Sequence, residues 1–166
     1  MSARMDDRFL DVDDHGVLKA PASLWLCVAF LLRHWVLILF IAVSAGRSPD
    51  TMAWIDNDRP WLMPLIELPT LLLVFAWTRR VPTAGWLPRT LWRRGRELIT
   101  VAAVLDLAWA VWFLSVSLPW NPWPERVVLL LALVDALIIL VTWRSVVWRQ
   151  LFREFPAAPP SKGALP

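Results

Sequence analysis

The sequence predicts an all-α membrane protein, a bundle of four transmembrane helices with a short cytoplasmic interfacial helix, and three observations carry that expectation. Hydrophobic residues make up 58% of the 166 residues and charged residues only 19%, with positive mean hydropathy, values outside the range of ordinary soluble domains. Apolar runs at about 24-44, 61-78, 98-118 and 127-147 each approach the roughly 20 residues a helix needs to cross a bilayer. Between the second and third runs, Arg79 to Glu97 gathers six arginines against one acid. Lys and Arg concentrate in short loops on the cytoplasmic side, so this block sets the orientation of its neighbours. Spans of this number fill about half the chain, which leaves no room for a separate soluble domain. The expected organisation is an acidic cytoplasmic tail over 1-23, a transmembrane domain over 24-147, and a largely disordered cytoplasmic tail over 148-166.

The N-terminal tail, with Asp6, Asp7, Asp11, Asp13 and Asp14 against Arg4, Arg8 and Lys19, is net acidic and does not resemble the positive leader of a signal peptide. Asp11, Asp13, His15 and Gly16 match the start of a calcium loop, but its twelfth position is Ala22, which supplies no carboxylate. The first span, from Leu24 to Ser44, contains Arg33 and His34. A polar loop follows, in which Trp54 and Trp61 suit the lipid–water boundary.

The second span begins after Pro60 and is expected to kink, because Pro64 and Pro69 lie inside it and each removes a backbone hydrogen bond. Glu67 sits between those prolines. Interrupted helices beside an acid can build ion sites, although proline is also tolerated in membrane helices without any such role. In the basic loop, Leu87, Leu91 and Leu98 fall on one helical stripe and Arg89, Arg93 and Arg96 on another. With Pro88 near a helix start, the pattern fits a helix lying in the interface. Headgroup contact is expected from Arg79, Arg80, Arg89, Arg93, Arg94 and Arg96, with anionic lipid as the partner.

Gly95 offers a bend into the third span. There Ala102, Ala103, Asp106 and Ala110 share nearly one face, and small residues let helices approach closely, so that face should meet protein. A tight aromatic turn from Pro119 to Pro124 leads to the fourth span, which carries Asp135 and ends near Arg144 and Arg149. Thirteen Lys and Arg lie in the N-terminal tail, the basic loop and the C-terminal segment, against three in the other two loops. The asymmetry puts both termini in the cytoplasm, in agreement with an even number of spans.

The lead Asp13-Asp14-His15-Gly16-Val17-Leu18-Lys19-Ala20-Pro21, followed by Leu24-Trp25-Leu26 and Leu32-Arg33-His34, resembles the YfeZ-like family of uncharacterised bacterial inner-membrane proteins. The resemblance implies four helices and a location in the bacterial inner membrane. It brings no activity and no functional residues, so none is transferred to any position.

No phosphate-binding glycine loop, nucleophile elbow, paired-histidine metal motif or dinucleotide fingerprint occurs, and Cys27 is the single cysteine. An enzyme is not expected, and neither a cofactor nor a metal nor nucleic-acid binding is implied. The functional signal is an intramembrane polar cluster of Arg33, His34, Glu67, Asp106 and Asp135. Ionisable groups at such depth are costly and face a bundle interior, a water path or a partner. Asp106 and Asp135 are similarly distant from the Pro119 to Pro124 turn, so an antiparallel hairpin sets them at equal depth. One fixed cation against three carboxylates implies that Arg33 pairs with at least one acid and that Asp106 or Asp135 is neutral. The favoured reading is a non-catalytic accessory or scaffold subunit of a membrane complex, with a membrane-protein partner or as a homo-oligomer. The alternatives are a small transporter or proton-coupled channel using the carboxylates and, ranked last, an enzyme of lipid-linked substrates.

Overall fold

A computed structural model describes residues 17–44, 62–116 and 122–156. Among the described residues there are eight helices and no strand: α1 (Ala22–Leu31), α2 (Arg33–Ser44), α3 (Leu62–Ile66), α4 (Leu68–Thr78), α5 (Trp86–Arg93), α6 (Gly95–Val116), α7 (Pro122–Arg144) and α8 (Val146–Leu151). The acidic run with His15, the loop with Trp54 and Trp61, the first half of the aromatic turn and the last ten residues lie outside the described residues.

Two helices are long and apolar enough to cross a membrane, α6 and the Glu125–Arg144 part of α7; the pair α1 and α2 makes a third if it counts as one span. α6 and α7 form the most extensive helix pair, and α4 packs against α5 and α6. The inward stripe of α6 is Gly95, Ile99, Ala102, Ala103, Asp106 and Ala110. This is the small-residue face anticipated from spacing, while Val101, Val104, Leu105, Val111 and Trp112 point outward. Residues recurring every three or four positions share one helix face, which is why that stripe is legible from sequence.

The expected span over 24-44 is not one straight helix but a bent pair. The chain breaks at Leu32 and turns by 66° between α1 and α2. Neither proline nor glycine stands there; the break is held by polar groups described below. The second apolar run is also divided, at Glu67, where a kink was expected. Pro69 has no N–H to return to the carbonyl of Leu65, and α4 starts anew with that proline in its first turn. Alone, the eleven residues of α4 reach about 16 Å, near half of a hydrocarbon core.

At the other end of α6 the expected bend falls at Arg94, between α5 and α6. Gly95 serves a close approach instead: a β-carbon there would overlap the ring of Phe152. The C-terminal segment is therefore not a tail from residue 148 onward, and that expectation is corrected for 148–156. Trp148, Leu151 and Phe152 are buried in the core with Leu18, Leu24, Trp92 and Ile99, because their spacing puts three large apolar groups on one side of α8. Leu18, from the segment expected to be a solvated tail, is buried there too.

Candidate functional site: a charged junction between broken helices

A helix that starts in mid-structure leaves its first N–H groups without intrahelical partners. At the start of α2 the partner comes from another helix break. The carboxylate of Glu67 accepts the backbone N–H of His34 at 3.1 Å on Oε1 and that of Trp35 at 3.4 Å on Oε2. These are the second and third positions of the helix, those an N-cap side chain normally serves, and a carboxylate also complements the positive end of the helix dipole. His34 Nδ1 hydrogen-bonds Glu67 Oε1, an ion pair when the imidazole is protonated. The indole N–H of Trp35 donates to the carbonyl of Pro64 at 3.0 Å. Both breaks are thereby joined, and Glu67 is fully buried.

Arg33 serves the opposite helix end. Its Nη1 donates to the carbonyl of Phe30 at 3.3 Å, near the negative end of α1, while its guanidinium lies 4.7 Å from the Phe30 ring centroid. The same Nη1 donates to Asp106 Oδ2 on α6 at 3.2 Å and lies 4.0 Å from Asp135 Oδ1 on α7. The expected pairing of Arg33 with a carboxylate is present, and the α6–α7 hairpin does bring Asp106 and Asp135 to one cation. The aspartate side chains are only 1% and 2% exposed. Among the described residues Asp106 Oδ1 and Asp135 Oδ1 accept no hydrogen bond, and 4.0 Å is an ion-pair contact rather than a hydrogen bond. All five residues of the anticipated cluster thus meet, in two linked groups, His34 with Glu67 and Arg33 with the aspartates. Among the described residues no three His, Cys, Asp or Glu side chains converge on a metal position.

The six arginines expected at headgroups divide. Arg79, Arg93 and Arg94 are exposed. Arg80 is buried: its Nη1 donates to the Leu18 carbonyl at 2.8 Å, and its guanidinium stacks 4.7 Å from the Trp92 ring. Arg89 turns back on its own loop, donating to the carbonyls of Ala84 and Pro82 at 3.1 and 2.7 Å. Arg96 donates to the carbonyls of Thr142 and Trp143 at 3.1 and 3.3 Å, at the negative end of α7. In each case a carbonyl left over by a loop or a helix end draws the guanidinium inward.

The family model described as Protein of unknown function (DUF2919) matches residues 8–154. The chain belongs to the DUF2919 family. No curated protein and no solved structure matches it.

In this DUF2919 member, sequence reasoning missed a second junction, where Leu18 and the segment 150–154 meet the basic loop. The Leu18 N–H donates to Glu154 Oε2 at 3.1 Å, Gln150 Nε2 donates to Glu154 Oε1 at 3.2 Å, and the Trp92 indole donates to the carbonyls of Leu151 and Glu154, both at 3.0 Å. Its components are far apart in the chain, and the only local signal was Trp92 between Leu91 and Arg93 on a short amphipathic helix. Glu125, in the first turn of α7, is a further buried acid that was not singled out.

Proposed function

We propose that the chain is a non-catalytic accessory or scaffold subunit of a bacterial inner-membrane complex. It crosses the membrane four times, through α1–α2, α3–α4, α6 and α7, with both termini and the basic loop cytoplasmic. The resemblance to the YfeZ-like family and the skewed distribution of Lys and Arg support that placement. The observation that carries the functional reading is the use made of Arg33 and Glu67. In hydrocarbon each unsatisfied backbone group costs several kcal/mol, and these two side chains bind the backbone at the two helix ends facing the Leu32 break. The polar cluster is then a clamp that permits bent helices and fixes their packing. The scaffold partner is another membrane protein or a second copy of this chain.

A second reading has its own observation. Asp106 Oδ1 and Asp135 Oδ1, buried beside two helix breaks and without hydrogen-bond donors among the described residues, are suited to a proton-coupled transporter or channel. Purification from native membranes in mild detergent, followed by reconstitution into proteoliposomes with a pH-sensitive dye, separates the two. A scaffold carries no proton flux above protein-free vesicles and elutes with a stoichiometric partner or as a homo-oligomer. Flux that disappears in Asp135→Asn rejects the scaffold reading in favour of transport.

A further inference from the structure

We propose that Arg96, Arg149 and Arg153 form a binding site for the phosphodiester headgroup of an anionic phospholipid, at the end of the bundle where α6 begins and α8 follows α7. The inference rests on the membrane reading above and deepens it from a generally basic loop to a defined set of residues on three segments.

The three arginines come from the first turn of α6, from α8 and from the turn just after it: Arg96 follows Gly95, which packs against the ring of Phe152 beside Arg153, and its guanidinium reaches the last carbonyls of α7 just before α8 with Arg149. Like charges gather at one place only where structure holds them or an anion relieves them. Here structure holds Arg96: its bonds to the Thr142 and Trp143 carbonyls and its stacking 4.5 Å from the Trp143 ring centroid fix the guanidinium. The Trp143 indole is itself anchored to Thr100 Oγ1 at 3.0 Å. Arg149 and Arg153 are exposed, and their side chains make no hydrogen bond or ion pair among the described residues. Neighbouring acids are engaged elsewhere. Glu154 accepts from the Leu18 N–H and from Gln150, and Glu97 lies 4.0 Å from Arg94.

The apolar surroundings favour a lipid over free phosphate. Leu140, Trp143 and Val146 are 50%, 50% and 57% exposed at the junction of α7 and α8, so the basic group borders a surface suited to acyl chains. Val146 and Arg149, three residues apart on α8, share a helix face, which places an apolar and a cationic contact side by side. A half-exposed indole with its N–H satisfied is the pattern of a residue at the membrane interface, and basic side chains at that level draw anionic headgroups.

The test uses the full chain in neutral detergent and reads its melting midpoint while phosphatidylglycerol, phosphatidylcholine or inorganic phosphate is titrated in. Phosphatidylglycerol is expected to stabilise the protein at concentrations about tenfold lower than phosphatidylcholine. Arg149→Gln with Arg153→Gln should remove that preference, whereas Arg79→Gln with Arg93→Gln should keep it. Equal response to both lipids, or a preference that survives loss of Arg149 and Arg153, overturns the site. Stabilisation by inorganic phosphate equal to that by phosphatidylglycerol overturns the lipid assignment. Failure of the membrane reading is seen separately, as a chain recovered in the soluble fraction without detergent.

Discussion

Glu67 caps a helix to which it does not belong: its carboxylate accepts the N–H of His34 at 3.1 Å from a residue 33 positions away in the chain. The donor stands at the first break and the acceptor at the second, so each interruption supplies what the other lacks. Bent helices here follow from this exchange and not from weakness of the chain at Leu32.

Removing the acceptor should therefore loosen α2. Glu67→Ala strands the N–H groups of His34 and Trp35, at a cost of about 1–3 kcal/mol each when no water replaces the carboxylate. Hydrogen exchange of a peptide covering 33–36 should accelerate more than that of peptides from α7, and Glu67→Gln, which retains an acceptor, should lie between. Unchanged exchange in Glu67→Ala contradicts the cap.

Arg80 joins the two ends of the described chain through Leu18 and Glu154. Hydrogen bonds from a charged donor contribute about 1.5–3 kcal/mol, and Arg80→Gln should release both segments. Limited proteolysis is expected to cut near residues 17–20 and 153–156 sooner than in the native protein. Trp92→Phe, which removes the indole donor and leaves a smaller ring in the core, should cost more than the roughly 1 kcal/mol of the hydrogen bond alone. Cleavage at native rates in Arg80→Gln would show that the ends are held by other contacts.

Gly95 and Phe152 make a steric pair. Gly95→Ala should destabilise by about 1–3 kcal/mol through overpacking. In a Phe152→Ala background the same change should cost much less, because the ring it meets is gone. A double-mutant cycle in detergent reads this coupling directly, and additive effects would show that the ring moves away freely.

The proposed four-span topology makes its own prediction. A reporter active only in the periplasm, fused after residue 166, should remain inactive, since on the proposed topology the Lys and Arg asymmetry would keep the C-terminus in the cytoplasm. Periplasmic activity of that fusion is incompatible with the proposed orientation.

What the sequence disclosed and what it hid divide along physical lines. The inward face of α6 was legible because Ala102, Ala103, Asp106 and Ala110 recur at helical spacing, a local property. The interruption near Glu67 was legible because Pro64 and Pro69 act on their own helix. The break at Leu32 was not, since its cause is a carboxylate from another segment. Charge counting found the basic loop but could not tell Arg80, which turns to the Leu18 carbonyl, from Arg79, which stays in solvent. The Pro and Ala content beyond Phe155 hid α8, although Trp148, Leu151 and Phe152 at spacings of three and four were the signal that an apolar face continued.

The central claim is that the charged junction is a structural clamp with Arg33 at its centre, and the thermal stability of three variants in one detergent tests it most directly. Arg33→Leu leaves Asp106 and Asp135 without their shared cation and uncaps the Phe30 carbonyl; breaking such a buried pair costs about 3–5 kcal/mol. Asp106→Asn and Asp135→Asn keep a side chain able to hydrogen-bond and remove an excess negative charge. The account predicts a large fall in melting midpoint for Arg33→Leu and small changes for both asparagine variants. A neutral Arg33→Leu together with unfolding of both asparagine variants would contradict it.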